Sequence, residues 1–272
     1  MKAFSKRHAM KRHLRLFVLY FAQYAKVRMA YKADFIIAFF SSMAATVLGF
    51  GFVLVLFSKI PRLQDWSFNE VMFLYGFSLI PLGFFNVVSW NLYDFGELYI
   101  IEGKFDRVLL RPVSTLFQVI FEKFRLESLQ EVVTGFAVVT ICLRRMHLSL
   151  NVPDYFWFAL MIVCGAAIYM AVFLILTAVS FWFEDRVGIV PPVFNMLNFG
   201  RYPLTIYNVF IQFLLSWIIP FGFASFYPTT HFLGRSSFAV YFHLVPVVAA
   251  GFFVLAILVW NRGVANYSST GT

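Results

Sequence analysis

Blocks of about twenty apolar residues recur along this chain, and blocks of that length reach across a bilayer. Six can be marked, at 35–57, 71–92, 126–143, 155–182, 204–223 and 241–260. At 1.5 Å per residue the first extends roughly 34 Å. A chain of 272 residues that is 61% hydrophobic and 13% charged is too apolar for one buried core. Its 37 phenylalanines suit lipid-facing surfaces and headgroup belts. The expected fold is therefore an all-α integral membrane protein with six transmembrane helices. Residues 1–34 precede the spans, 35–262 form the membrane domain and 263–272 a short tail. Pro81 and Gly83 predict a kink in the second span. Glu122, Lys123, Arg125, Glu127 and Glu131 crowd the start of the third and leave its limits least defined. Pro191, Pro192, Asn195 and Asn198 mark 187–202 as an interfacial or broken helix. No repeat and no separate soluble domain is visible.

The net charge of +9 is concentrated before the first span, where residues 1–34 hold nine Lys or Arg. That placement points to orientation and anionic lipid rather than to nucleic acid. Within it Arg12, Arg15 and Lys26 fall on one side of a helical wheel, and Phe17 and Phe21 on the other. This predicts an amphipathic helix lying in the membrane interface. Six spans put both ends on one side. Seventeen Lys and Arg, Arg201 among them, gather there against five on the other. The positive-inside rule then makes both termini cytoplasmic. No apolar stretch ends in a small-residue cleavage site, so no removable signal peptide is expected.

Catalytic chemistry is sparse. No Gly-rich phosphate loop ending in Gly-Lys-Ser/Thr occurs, so the chain is not expected to hydrolyse ATP. The five histidines have no metal-ligand spacing, and Cys142 and Cys164 read as buried apolar residues. Few ionisable residues fall at bilayer depth. Glu127 and Glu131 are the exception: four apart, they share a face near the start of the third span. Either they line a polar path or meet a partner helix, or, the reading favoured here, that turn is still in cytoplasmic solvent. No catalytic or metal residue is assigned.

The segment from Gly96 to Pro112 interleaves Glu97, Glu102, Lys104, Asp106, Arg107 and Arg111 with large apolar residues. A solvated loop would not need Ile101, Phe105, Leu109 and Leu110. They lie on the membrane surface or fill a groove on another protein. Arg111-Pro112 ends the unit, because a residue before proline avoids the helical region.

Here the sequence resembles the six-helix permease subunits of type-2 ABC exporters. The likeness rests on Glu102 through Pro112, on Lys26 through Asp34 entering the first span, on Phe73-Leu74-Tyr75-Gly76, on Arg201 through Tyr207, and on Ile219-Pro220-Phe221 and Tyr227-Pro228. Lys104 departs from the small or acidic residue expected there. The resemblance implies a coupling helix between spans two and three. In it Glu102, Gly103, Lys104, Phe105, Asp106, Arg107, Leu110 and Arg111 would dock an ATPase beside the interface helix. It also implies two cytoplasmic ABC ATPase subunits per complex, carrying the ATP and Mg that this chain does not bind. A second permease copy or paralogue would meet it through the first and fifth spans. Short, partly re-entrant outer helices are implied around 226–237. The implied function is ATP-driven export of a hydrophobic or amphiphilic cargo across the inner membrane. The alternatives are an ATPase anchor without transport, or a lipid-modifying enzyme built on Glu97, Glu102 and Asp106.

Overall fold

A computed structural model of the chain describes residues 16–26, 31–183 and 190–268. The described residues are helical, with no strand; a single bridge between Leu63 and Trp66 closes a turn. Residues 16–26 form α1. The rest are α2 (Lys32–Lys59), α3 (Phe68–Ser89), α4 (Phe105–Leu109), α5 (Thr115–Phe121), α6 (Leu129–Arg145) and α7 (Val152–Phe183). After these come α8 (Val190–Met196), α9 (Val209–Phe213), α10 (Phe221–Ala224), α11 (Phe226–Phe232) and α12 (Ala239–Asn266). Five stretches are long and apolar enough to cross a membrane: Lys32–Lys59, Phe68–Ile101, Leu126–Arg145, Val152–Phe183 and Ser236–Asn266. The protein is a multi-pass α-helical membrane protein.

Local sequence sets the helix ends. Ser67 caps α3: its hydroxyl accepts from the Glu70 amide, and the Glu70 carboxylate accepts from the Ser67 amide at 2.8 Å. Pro81 sits inside α3 without ending it. Beyond Ser89 the helical path continues through a tight turn at Trp90–Leu92 and a widened turn at Gly96–Ile101. Gly103, at φ 67°, then reverses the chain into α4. Cys142 and Cys164 are free and buried.

Side-chain register fixes the topology. Down the α3–α7 seam, Phe77 meets Phe158 at 5.3 Å and Phe85 meets Phe173 at 5.0 Å. Thr177 donates to the Leu92 carbonyl at 3.0 Å, and Phe95 meets Phe181 at 5.4 Å, so residue numbers rise together and the two helices are parallel. On α12, Phe242 lies against Trp157 and Trp260 against Phe181, which makes α12 parallel to α7. Phe57 at the end of α2 packs on Phe68 at the start of α3. The start of α2 and the end of α12 thus share one face, called here the terminal face.

The expected single fifth span at 204–223 is replaced by short pieces. Residues 190–206 climb along α3: Phe194 sits on Tyr93 at 5.4 Å, Arg201 donates to the Tyr75 hydroxyl at 3.0 Å, and Trp66 donates to Thr205 at 2.9 Å. That path runs from near the terminal face to the opposite one. Val209–Ile218 and Phe221–Phe232 then bend against each other by 70°. Pro220, which has no N–H to continue a helix, sits at the bend. The second arm lies along α7, with Phe221 5.3 Å from Tyr169 and His231 3.9 Å from Asp154. It therefore rises from mid-depth back to the opposite face, as a re-entrant element over the region implied at 226–237. Arg201 also departs from the charge count, which set it at the terminal face. Only seven residues separate its partner Tyr75 from the start of α3, and that hydroxyl and ring accommodate the guanidinium.

Candidate coupling surface and membrane-embedded polar cluster

At the terminal face the segment after α3 has a dry side and a wet side. Phe105 and Val108, three apart on α4, are both buried. Phe105 is wholly enclosed by Phe95, Phe181, Trp260 and Tyr267, at ring distances of 5.9, 5.0, 6.2 and 4.9 Å. It cannot touch a partner, which corrects its place among the docking residues: its ring fills the junction of three elements of this chain. Leu110 is 84% exposed, and Ile101 and Leu109 are exposed beside it. Glu102 and Lys104 pair at 2.6 Å on the same exposed side, near Arg107 and Arg111.

Hydrogen bonds hold the dry side. The Gln118 amide of α5 donates to the carbonyls of Val108 and Val113, both at 3.0 Å. Asn91 donates to the Tyr99 hydroxyl at 2.6 Å and the Val119 carbonyl at 2.8 Å; Tyr99 in turn donates to Glu122. Past α12, the Tyr267 hydroxyl donates to Asp106 at 3.0 Å. Desolvation and this acceptor push the Tyr267 phenol up to about 12, so it remains a donor at neutral pH. The exposed tip is thus tied to α5 and to the ends of α3, α7 and α12.

Residues 16–26 of the segment expected to be amphipathic are helical, as α1. Phe17 stacks edge-on against Phe121 and Phe124 at 5.2 and 5.8 Å, and Phe21 against Phe124 at 5.4 Å. Lys26 ends it, exposed; Arg12 and Arg15 lie outside the described residues. Arg111 reaches the Tyr20 hydroxyl at 3.4 Å, so α1 borders the end of the coupling segment.

The sequence model of ABC-2 family transporter proteins matches residues 41–271. The chain belongs to the ABC-2 transporter family. No curated protein and no solved structure matches it. The match makes this chain a transporter membrane subunit, and α1 and the first part of α2 lie ahead of the matched region.

Within this ABC-2 membrane domain, Glu127 and Glu131 are buried, which overturns the reading of that turn as solvated. Arg125 stands 3.6 Å from Glu127 and stacks on Trp90 at 4.1 Å. Glu131 accepts from Asn86 of α3 at 2.9 Å. Next to it Gln130 donates to Ser42 and Thr46 of α2, both at 3.2 Å. Ser42 lies ten residues into α2, roughly 15 Å along its axis. The cluster is therefore inside the membrane domain, and it pins an otherwise mostly exposed α2. Sequence reasoning found the carboxylates but missed Asn86, Gln130, Ser42 and Thr46, because neutral polar residues inside apolar blocks are unremarkable singly. Among the described residues no group of three His, Cys, Asp or Glu could hold a metal. Replacing Glu131 with Leu is expected to strand the Asn86 amide and cost about 1–3 kcal/mol, read as a lower melting temperature in detergent. Glu131→Gln, which keeps an acceptor, should lose less than half of that.

Proposed function

We propose that this chain is the permease subunit of an ATP-driven exporter in the inner membrane, with both termini cytoplasmic. Two separate nucleotide-binding subunits carry ATP and Mg and dock on the tip at Ile101, Glu102, Lys104, Arg107, Leu109, Leu110 and Arg111. The observation carrying this reading is the two-sided coupling segment: bare leucines and charges outward, an aromatic anchor to α7 and α12 inward. Closure of the ATPases would move the anchored helices as rigid bodies. A second copy or a paralogue completes the pathway along α2 and the 209–218 arm. Both present large bare apolar side chains, with Phe40 63%, Leu48 74%, Val209 82% and Phe210 71% exposed. Such walls suit a hydrophobic or amphiphilic cargo, and the few charges at depth do not suit an inorganic ion.

The test is co-purification with an ATPase encoded beside it. Leu110→Asp combined with Arg107→Ala should abolish the complex and its substrate-stimulated ATP turnover while leaving the melting temperature of the permease unchanged. An intact complex with unaltered turnover would remove the docking claim.

A further inference from the structure

A cavity of about 800 Å³ opens at the terminal face between α1, the start of α2 and the α5–α6 connection. That is within the usual size range of small-molecule pockets, about 300–1,000 Å³. Asp34 and Ala38, in the first two turns of α2, line it, so it sits where α2 enters the membrane. Its polar lining has a definite order. Glu122 accepts from Tyr99, and Glu127 faces Arg125. Arg111 and Lys123 remain as cations on one side, with Asp34 as the carboxylate on α2. Among the described residues neither Lys123 nor Asp34 has an ion-pair partner. Tyr24, Tyr31 and Trp90 also line the cavity. Below Ala38 the exposed residues Ile37 and Phe40 offer an apolar track along α2.

We propose that this cavity binds the headgroup of a membrane phospholipid bearing a primary amine. The phosphate meets Arg111 and Lys123 as charge-assisted hydrogen bonds. The ammonium donates to Asp34 against the ring of Tyr31, where a cation is favoured by the aromatic face. The acyl chains leave past Ala38 into the bilayer. An anionic headgroup without the amine satisfies the cations but leaves Asp34 facing a hydroxyl. The site thus distinguishes amine lipids from other phospholipids through one carboxylate. This inference does not depend on transport, since it concerns occupancy of the isolated chain.

The delipidated chain in detergent would be given phosphatidylethanolamine, phosphatidylglycerol and phosphatidylcholine of identical acyl chains, with retained lipid read by native mass spectrometry. The expected result is retention of phosphatidylethanolamine about tenfold above the other two, the scale of one charge-assisted hydrogen bond. Asp34→Asn should erase that preference without reducing phosphatidylglycerol, and Asp34→Glu should keep it. Lys123→Ala should weaken all three about tenfold. Equal retention by the unaltered chain, or a preference that survives Asp34→Asn, would overturn the proposal. Soluble glycerophosphoethanolamine is the control for source: displacement of the lipid at equal concentration would assign the cavity to a water-soluble ligand and overturn the lipid assignment.

Discussion

Phe105→Ala is expected to destabilise the protein by about 3–5 kcal/mol, the cost of a large aromatic removed from a packed interior. The ring is fully enclosed by residues from the end of α3's helical path, from α7 and from beyond α12. Three elements separated by up to 172 positions, from Phe95 to Tyr267, lose their common filler at once. None of the neighbouring rings can swing in without abandoning its own contacts. The melting temperature in detergent should fall sharply, and the ATPase complex should weaken because the tip loses its foundation. Leu110→Ala sets the contrast. It removes a side chain that is 84% exposed, so stability should hold within about 0.5 kcal/mol while ATPase binding drops. A Phe105→Ala chain that melts like the unaltered one would mean that the aromatic junction carries no weight.

The same pair of residues shows what the sequence could disclose. Every residue of the Glu102–Arg111 stretch was visible, and so was its excess of apolar groups. Which of those groups faced inward was not. A five-residue helix gives little periodicity, and the one usable signal was the three-residue spacing of Phe105 and Val108. The long blocks α2, α3, α6, α7 and α12 were legible because an unbroken apolar run of membrane length has few other uses. The region from 190 to 232 was not, for an equally physical reason. Its crossing is built from short turns whose polar groups are answered by Tyr75 and Trp66 from distant segments and by Ser225 from within the region itself. Composition alone made it one span ending near Phe223. The burial of Glu131 has the same origin: its partner Asn86 lies 45 residues away and announces nothing by itself.

Gly135→Leu should be as damaging as the loss of Phe105. Here α3 and α6 approach until backbone meets backbone. A Cβ on Gly135 would stand 2.6 Å from the Gly76 carbonyl oxygen and 2.7 Å from Ile80 Cγ1; one on Gly76 would stand 2.8 Å from Val138 Cγ1. A carbonyl oxygen inside a helix cannot rotate away, so the helices must separate. Lipid chains are as apolar as the side chains they would replace, so no hydrophobic force draws the pair together again; close packing and interhelical hydrogen bonds hold it. Separation also pulls Glu131 off Asn86, and Gln130 shifts against Ser42 and Thr46. The expected loss is about 3 kcal/mol or more, seen as an aggregated profile in size exclusion or a much lower melting temperature. Gly51→Ala and Gly251→Ala test the argument from the other side. A Cβ at either position meets nothing within 4 Å, and both lie within long helices, where alanine is the better helix former. Both variants should remain monodisperse and melt at or slightly above the unaltered chain. Should Gly135→Leu behave as they do, the close seam between α3 and α6 would not be what holds this membrane domain together.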